Sequence, residues 1–231
     1  MLNQMKSLSI NKLAEYLDAN ALRRAAIVRQ RISEDAFAPA YYTLAQSGMR
    51  SVALASNPAS VFLTETEKIR RHAGWGPYPK KLIENNLEAL QGLWLAFQSG
   101  ILPDSSRHYR LPGSSQPNQI LSDVRITSRS DLELVVTSVR GSARYGAVKF
   151  YLNKEHPLTS HSGAVLAALL ENLAKKVYGD RNVSREGIYV IDAFKGTIFN
   201  PPRSCSRMVK EATAAAKEFS MHWDFLVRQG R

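Results

Sequence analysis

Residues 131–154, DLELVVTSVRGSARYGAVKFYLNK, carry the clearest fold signal in the sequence. Apolar side chains alternate with other residues from 132 to 137, which is the period of a half-buried β-strand. Gly141 supplies a turn, and residues 145–152 form a second run rich in aromatic and β-branched side chains. The stretch therefore predicts a β-hairpin around which the rest of the chain is organised.

Helical spacing of apolar residues is typical of the N-terminal half. We expect a helix that starts after Ser9 and continues through Val28, and another that starts at Ser33, where acidic residues follow. Asn57, followed by a proline, predicts the cap of a helix that ends near residue 72. An apolar face over residues 80–99 predicts one more helix.

A change in composition separates this helical part from the rest of the chain. Residues 101–118 are rich in Gly, Pro, Ser and Asn, which predicts a loop or linker. Beyond it we expect a short strand over 120–127, the hairpin, a helix from Thr159 to Tyr178, two strands and a last helix over 204–227. The predicted fold class is α+β, with a helical domain over 1–100, a loop or linker over 101–118, and an α/β domain over 119–231 that contains a small mixed sheet flanked by helices.

Charge and cysteine content restrict the classes of partner and compartment. The 231 residues include 31 Lys and Arg against 20 Asp and Glu, a formal net charge of +11, which predicts an anionic partner such as nucleic acid. With 44% hydrophobic residues the chain can bury a sizeable core. The single cysteine, Cys205, excludes an internal disulfide and an all-cysteine zinc site, so we expect the cytoplasm. No run approaches the roughly 18 apolar residues of a membrane span.

Basic residues in several segments are the candidates for contacts with nucleic acid. Near Cys205, Lys195, Arg203 and Arg207 stand beside an expected helix start, where exposed amides and positive charge together can hold a phosphate. The two arginines also predict a thiolate at Cys205. A helix whose charges only face solvent explains the same residues, and this alternative stays open. The complete predicted set is Arg23, Arg24, Lys80, Lys81, Arg107, Arg110, Lys195, Arg203 and Arg207.

The predicted order from residue 80 onward is helix, three strands, helix and strand, and it resembles the αβββαβ core of the PD-(D/E)XK nuclease superfamily over residues 80–200. In that family an acid on the second strand and an acid-x-Lys motif on the third hold a divalent metal for phosphodiester cleavage. The resemblance places the first acid at Asp131 and the lysine at Lys149. The third-strand acid is missing, because Ala147 occupies its position. The candidates to replace it are Glu133, Glu155 and Glu171.

These patterns lead to three hypotheses of different classes. The first is a cytoplasmic nucleic-acid-binding protein with no catalytic activity, metal or cofactor of its own, and the general character of the chain suggests a role in bacterial or phage defence or in mobile elements. The second is a Mg²⁺-dependent nuclease that uses Asp131, Lys149 and Glu133. The third is an adaptor whose helical N-terminal half docks a protein partner. None of the three involves a membrane.

Overall fold

The computed structural model describes residues 5–33, 41–72, 80–101, 107–113, 116–137 and 142–229. These residues form the α+β fold that the sequence predicts. In chain order their elements are β1 (Ser7–Ser9), α1 (Ile10–Asp18), α2 (Ala21–Ser33), α3 (Thr43–Leu54), α4 (Pro58–His72), α5 (Lys80–Gln98), β2 (Arg107–Arg110), β3 (Gln119–Leu121), β4 (Val124–Thr127), β5 (Leu132–Thr137), β6 (Ala143–Tyr151), α6 (Ser160–Tyr178), a 3-10 turn (Asp180–Asn182), β7 (Val183–Asp192), β8 (Thr197–Phe199) and α7 (Cys205–Gln229).

A five-stranded mixed sheet forms the centre of the fold, in the order β2-β5-β6-β7-β8. β5 and β6 pair antiparallel, with Leu132 opposite Val148, so both strands of the predicted hairpin are confirmed. The turn predicted at Gly141 lies outside the described residues. β6 and β7 run parallel because α6 crosses over between them, and β2 and β8 form the antiparallel edges.

A second sheet has three strands in the order β1-β4-β3, and two of them, β3 and β4, lie in the chain between β2 and β5. β1 pairs parallel with β4, which joins the start of the described chain to its C-terminal half. The single strand predicted over 120–127 is wrong, because a β3–β4 hairpin occupies this range. Its turn needs Ser122 at a positive φ of 57°, which is uncommon for a residue other than glycine, and hydrophobic period cannot reveal it.

The central sheet separates two apolar cores. Along β6, Val148 and Phe150 pack on the side of α3, α4 and α5, whereas Ala147 and Tyr151 pack on the side of α1, α2, α6 and α7. On the first side α5 lies very close to the sheet, since a Cβ at Gly92 would stand 1.8 Å from the carbonyl oxygen of Ala193. Helices therefore cover both faces of the sheet, and the central hairpin is buried on both sides.

The helices of the N-terminal half belong to these two different cores. α1 and α2 pack with α6 and α7, and α3 to α5 cover the opposite face. Within the predicted linker over 101–118, residues 107–110 form the edge strand β2, because Tyr109 is buried against Phe97 and its hydroxyl donates to the Ile101 carbonyl. The loop assignment is corrected at these residues. Independent folding of 1–100 and 119–231 stays a prediction.

Most of the predicted helices are confirmed, with one break. The helices expected near 58–72, 80–99, 160–178 and 204–227 correspond to α4, α5, α6 and α7. The helix predicted to continue through Val28 is two helices, because Ala19 has an extended backbone and the Asn20 side chain accepts a hydrogen bond from the Arg23 amide. The start of the helix predicted from Ser33 falls on residues 34–40, which lie outside the described part of the chain, and α3 covers the rest of its apolar run.

Candidate functional site

Asp131, the first acid of the nuclease resemblance, is fully buried at the start of β5. Its Oδ1 accepts hydrogen bonds from the Gln46 amide and from Arg50, the latter at 2.9 Å. Its Oδ2 accepts from the Lys149 ammonium at 2.9 Å and from the Phe150 backbone amide at 2.7 Å. An ionised carboxylate offers about four acceptor sites. All of them are used inside the protein, so Asp131 ties β5, β6 and α3 together.

The carboxylates expected to replace the missing acid do not gather around Asp131. Glu133 lies opposite Ala147 but binds Arg110, with an Oε2–Nε distance of 2.7 Å. Glu171 lies on α6, where its carboxylate binds Cys205 and Lys175. Glu155 lines a pocket that contains neither Asp131 nor Lys149. In the described ranges there is no group of three or more His, Cys, Asp or Glu that could hold a metal ion.

A pocket of about 500 Å³ lies beside Lys149. Three cationic side chains line it, and no carboxylate does, among the residues that the structure describes. We call it the basic pocket, and its polar lining consists of Ser9, Asn11, Asn118, Arg125, Thr127, Arg129 and Lys149. The position at which the nuclease resemblance expects metal-binding carboxylates therefore opens onto positive charge.

The period of β4 explains why two arginines reach this pocket. Val124 and Ile126 point into the apolar core, so Arg125 and Thr127 point to the opposite side, and Arg129 follows two residues later. The parallel pairing of β1 with β4 places Ser9 opposite Thr127, and α1 begins at the next residue. The first turn of α1 thus opens onto the basic pocket, where the helix dipole favours an anion.

The cations of the basic pocket are only partly compensated inside the protein. Neither Arg125 nor Arg129 forms a salt bridge with any residue in the described part of the chain, and the Nε of Arg125 is buried without an acceptor. Lys149 pairs with the carboxylate of Asp131, which it shares with Arg50. Cations that lack a carboxylate partner favour an anion that supplies acceptor oxygens.

The residues predicted to contact nucleic acid lie on separate elements, and many are engaged inside the protein. Arg23 binds Glu15 and Arg24 binds Glu218 at 2.9 Å, so α2 uses both charges to hold α1 and α7. Whether the predicted set contacts nucleic acid stays a prediction. The remaining contacts are Arg110 with Glu133, Arg207 with Glu211, Lys80 with Glu84 at 3.8 Å, and Lys195 with the Leu158 carbonyl, while Lys81 and Arg203 line two other pockets and Arg107 lies on the edge strand β2.

Cys205 is a protonated thiol, so the predicted thiolate is wrong. Burial and a hydrogen bond to the Glu171 carboxylate, with an S–O distance of 3.0 Å, raise the pKa of Cys205 to about 11. The prediction relied on Arg203 and Arg207, which are neighbours in sequence. In space the deciding neighbour is Glu171, which lies on α6.

Sequence reasoning missed Arg125 and Arg129. The signal was present in residues 124–129, VRITSR, where basic and hydroxyl side chains alternate with apolar ones along an expected strand. This pattern indicates a binding site only once β4 is known to pair with β1, because that pairing brings Ser9 and Asn11 to the pocket lined by the two arginines.

Comparison with known proteins adds no functional assignment. The sequence matches no protein-family model, and a search of curated proteins finds no similar sequence. The resemblance to the nuclease core therefore rests on element order together with Asp131 and Lys149. None of the helices in the described ranges is long and apolar enough to cross a membrane.

The raised pKa of Cys205 predicts slow reaction with a disulfide reagent. Only the thiolate attacks such reagents. A shift from the ordinary 9.0 to about 11 leaves roughly a hundredfold less thiolate at neutral pH. We expect the rate of Ellman's reagent on the folded protein to rise with pH beyond pH 9, and Glu171→Gln to raise the rate at pH 8, because it removes the nearby negative charge.

The guanidinium-unfolded protein is the control for this measurement, since its thiol has an ordinary pKa. A folded wild-type protein that reacts at pH 7 as fast as the unfolded chain would contradict the assignment. Far-ultraviolet circular dichroism of the Glu171→Gln variant separates a change in pKa from a loss of structure.

Proposed function

We propose that this protein binds nucleic acid without cleaving it, and that the basic pocket holds a backbone phosphate. The observation that carries the proposal is the convergence of Arg125, Arg129 and Lys149 on a pocket that no described carboxylate lines. A formal net charge of +11 supports the same class of partner, because a polyanion gains affinity from every phosphate that a cation neutralises.

The chemistry of the pocket suits a phosphate group. Arginine offers a planar fork of donors that matches two phosphate oxygens, and two arginines line this pocket, Arg125 on β4 and Arg129 just beyond its end. The opening turn of α1 adds backbone amides and the positive end of a helix dipole. Lys149 contributes a compact charge at the same place. Asp131 stands behind this lysine and orients its ammonium group.

The donor set around Asp131 supports binding rather than metal-assisted hydrolysis. A divalent metal in a nuclease needs several oxygen ligands. The carboxylate expected to bind it, Asp131, already accepts four hydrogen bonds. At the third-strand acid position Ala147 offers a methyl group. The Mg²⁺-dependent nuclease and the protein adaptor stay alternative hypotheses. Localisation in the cytoplasm stays a prediction.

Salt dependence tests the proposal most simply. We expect fluorescence anisotropy to show binding of labelled oligonucleotides at 50 mM salt that weakens steeply by 200 mM salt. In Arg125→Gln/Arg129→Gln, affinity at low salt should fall and the slope of log affinity against log salt should decrease by about one, because the pocket holds one phosphate.

A matched control removes the same charge elsewhere. Arg70 and Arg71 are exposed in the last turn of α4, which covers the opposite face of the central sheet. Arg70→Gln/Arg71→Gln should therefore leave the slope nearly unchanged. Absence of binding at low salt would refute the proposal. Equal effects of the two double variants would show that overall charge, rather than the basic pocket, governs binding.

The proposal also predicts that the protein leaves oligonucleotides intact. Single- and double-stranded DNA and RNA should remain uncut with Mg²⁺ or Mn²⁺, because Asp131 has no acceptor site left. Asp131→Ala should instead lower the free energy of unfolding by about 3–5 kcal/mol, since it leaves Lys149 and Arg50 unpaired. Urea denaturation measures this loss. Cleavage that disappears on chelation and in Asp131→Ala and Lys149→Ala would establish the nuclease hypothesis.

A further inference from the structure

A second pocket, of about 510 Å³, lies where the chain leaves β6 and α5 begins. Its lining differs from that of the basic pocket because it combines two tyrosines with two amides and charges of both signs. We call it the aromatic pocket, and its main lining residues are Tyr41, Tyr42, Lys81, Asn85, Lys154 and Glu155.

The aromatic side chains of this pocket form a supported platform. Tyr41 is 46% exposed, and its ring packs edge-on against Tyr42 at a centroid distance of 5.0 Å. Tyr42 in turn packs against Phe194 at 5.3 Å, and the Lys154 ammonium lies 5.9 Å from the Phe194 ring centre. The exposed ring is thus supported by Tyr42, which is itself supported by Phe194.

The polar groups of the aromatic pocket favour an uncharged ligand. Lys154 forms a salt bridge with Glu88, and Lys81 and Glu155 carry opposite charges in the lining. Asn85 is buried on the pocket wall, where its Nδ2 donates to the Tyr41 hydroxyl at 3.4 Å. A planar group with hydrogen-bonding edges and no net charge fits this combination, and a nucleobase has these properties.

The two pockets lie near each other at the same end of β6. Lys149 of the basic pocket precedes the end of β6, and Asn153, just beyond that end, lines the aromatic pocket. Asn153 also donates a hydrogen bond to Glu15, one turn along α1 from Asn11, which lines the basic pocket. One helical turn of four residues spans about 6 Å. A single nucleic-acid strand can therefore reach both pockets.

We propose that the aromatic pocket takes one unstacked nucleobase against the face of Tyr41 while the basic pocket holds a phosphate of the same strand. This inference rests on the proposed function and adds the class of nucleic acid to it. A base inside a duplex is paired and stacked, so its face is not available to a tyrosine ring. The protein therefore binds single strands in preference to duplexes.

The test compares a labelled single strand, its duplex of equal length, and the same strand with abasic sites, all by fluorescence anisotropy. Wild-type protein should bind the single strand about tenfold more tightly than the duplex, and abasic sites should cost about the same factor. Tyr41→Ala should weaken single-strand binding about tenfold and leave duplex binding unchanged. Tyr41→Phe keeps the stacking face and is expected to keep the affinity.

The outcomes separate this inference from the proposed function. If single strand, duplex and abasic strand bind equally, the aromatic pocket does not bind a base and the inference is refuted. The proposed function would still stand if Arg125→Gln/Arg129→Gln lowered the salt dependence of binding. If no oligonucleotide binds, both are refuted. The abasic strand probes the wild-type protein, so the inference remains testable even if Tyr41→Ala fails to fold.

Discussion

The carboxylate of Asp131 is the interaction on which the centre of this structure depends. It accepts hydrogen bonds from α3 through Gln46 and Arg50, and from β6 through Lys149 and the Phe150 amide. The carboxylate is fully buried, and removing it would leave Lys149 and Arg50 without their shared partner. Asp131 thereby fixes the end of the central hairpin against the helix that covers it. It also fixes the position of Lys149 at the edge of the basic pocket.

This constraint decides which chemistry the same place can support. A nuclease of the family that the element order resembles would need its first acid free to bind a metal, whereas here that acid is occupied by four protein donors. The pocket beside Lys149 is lined by Arg125 and Arg129. An arrangement of cations around a structural carboxylate stabilises a bound phosphate but provides no metal-activated water. The same sheet end is thus better suited to holding a phosphodiester than to breaking one.

Local signals made the elements predictable, and non-local pairing made the site unpredictable. The cap at Thr159 and the glycine after Tyr178 define α6 in sequence and in structure. The missed β3–β4 turn depends on a positive φ at Ser122, which no period encodes. Lys149 and Asp131 could be paired by resemblance, but Arg125 joins them only because β1 pairs with β4 from the opposite half of the chain. The prediction of a thiolate at Cys205 failed for the same reason, since Glu171 is distant in sequence and adjacent in space.

The most direct measurement of the central claim observes the side chain of Arg125 itself. Its side chain lines the basic pocket, so the signal of its Nε–H group should report a phosphate that binds the guanidinium. In ¹H–¹⁵N spectra of the arginine Nε–H region, assigned with Arg125→Gln, titration with a short oligonucleotide should shift the Arg125 signal and saturate with the affinity found by anisotropy. An Arg125 signal that stays fixed while the oligonucleotide binds would contradict the assignment of the basic pocket as the phosphate site.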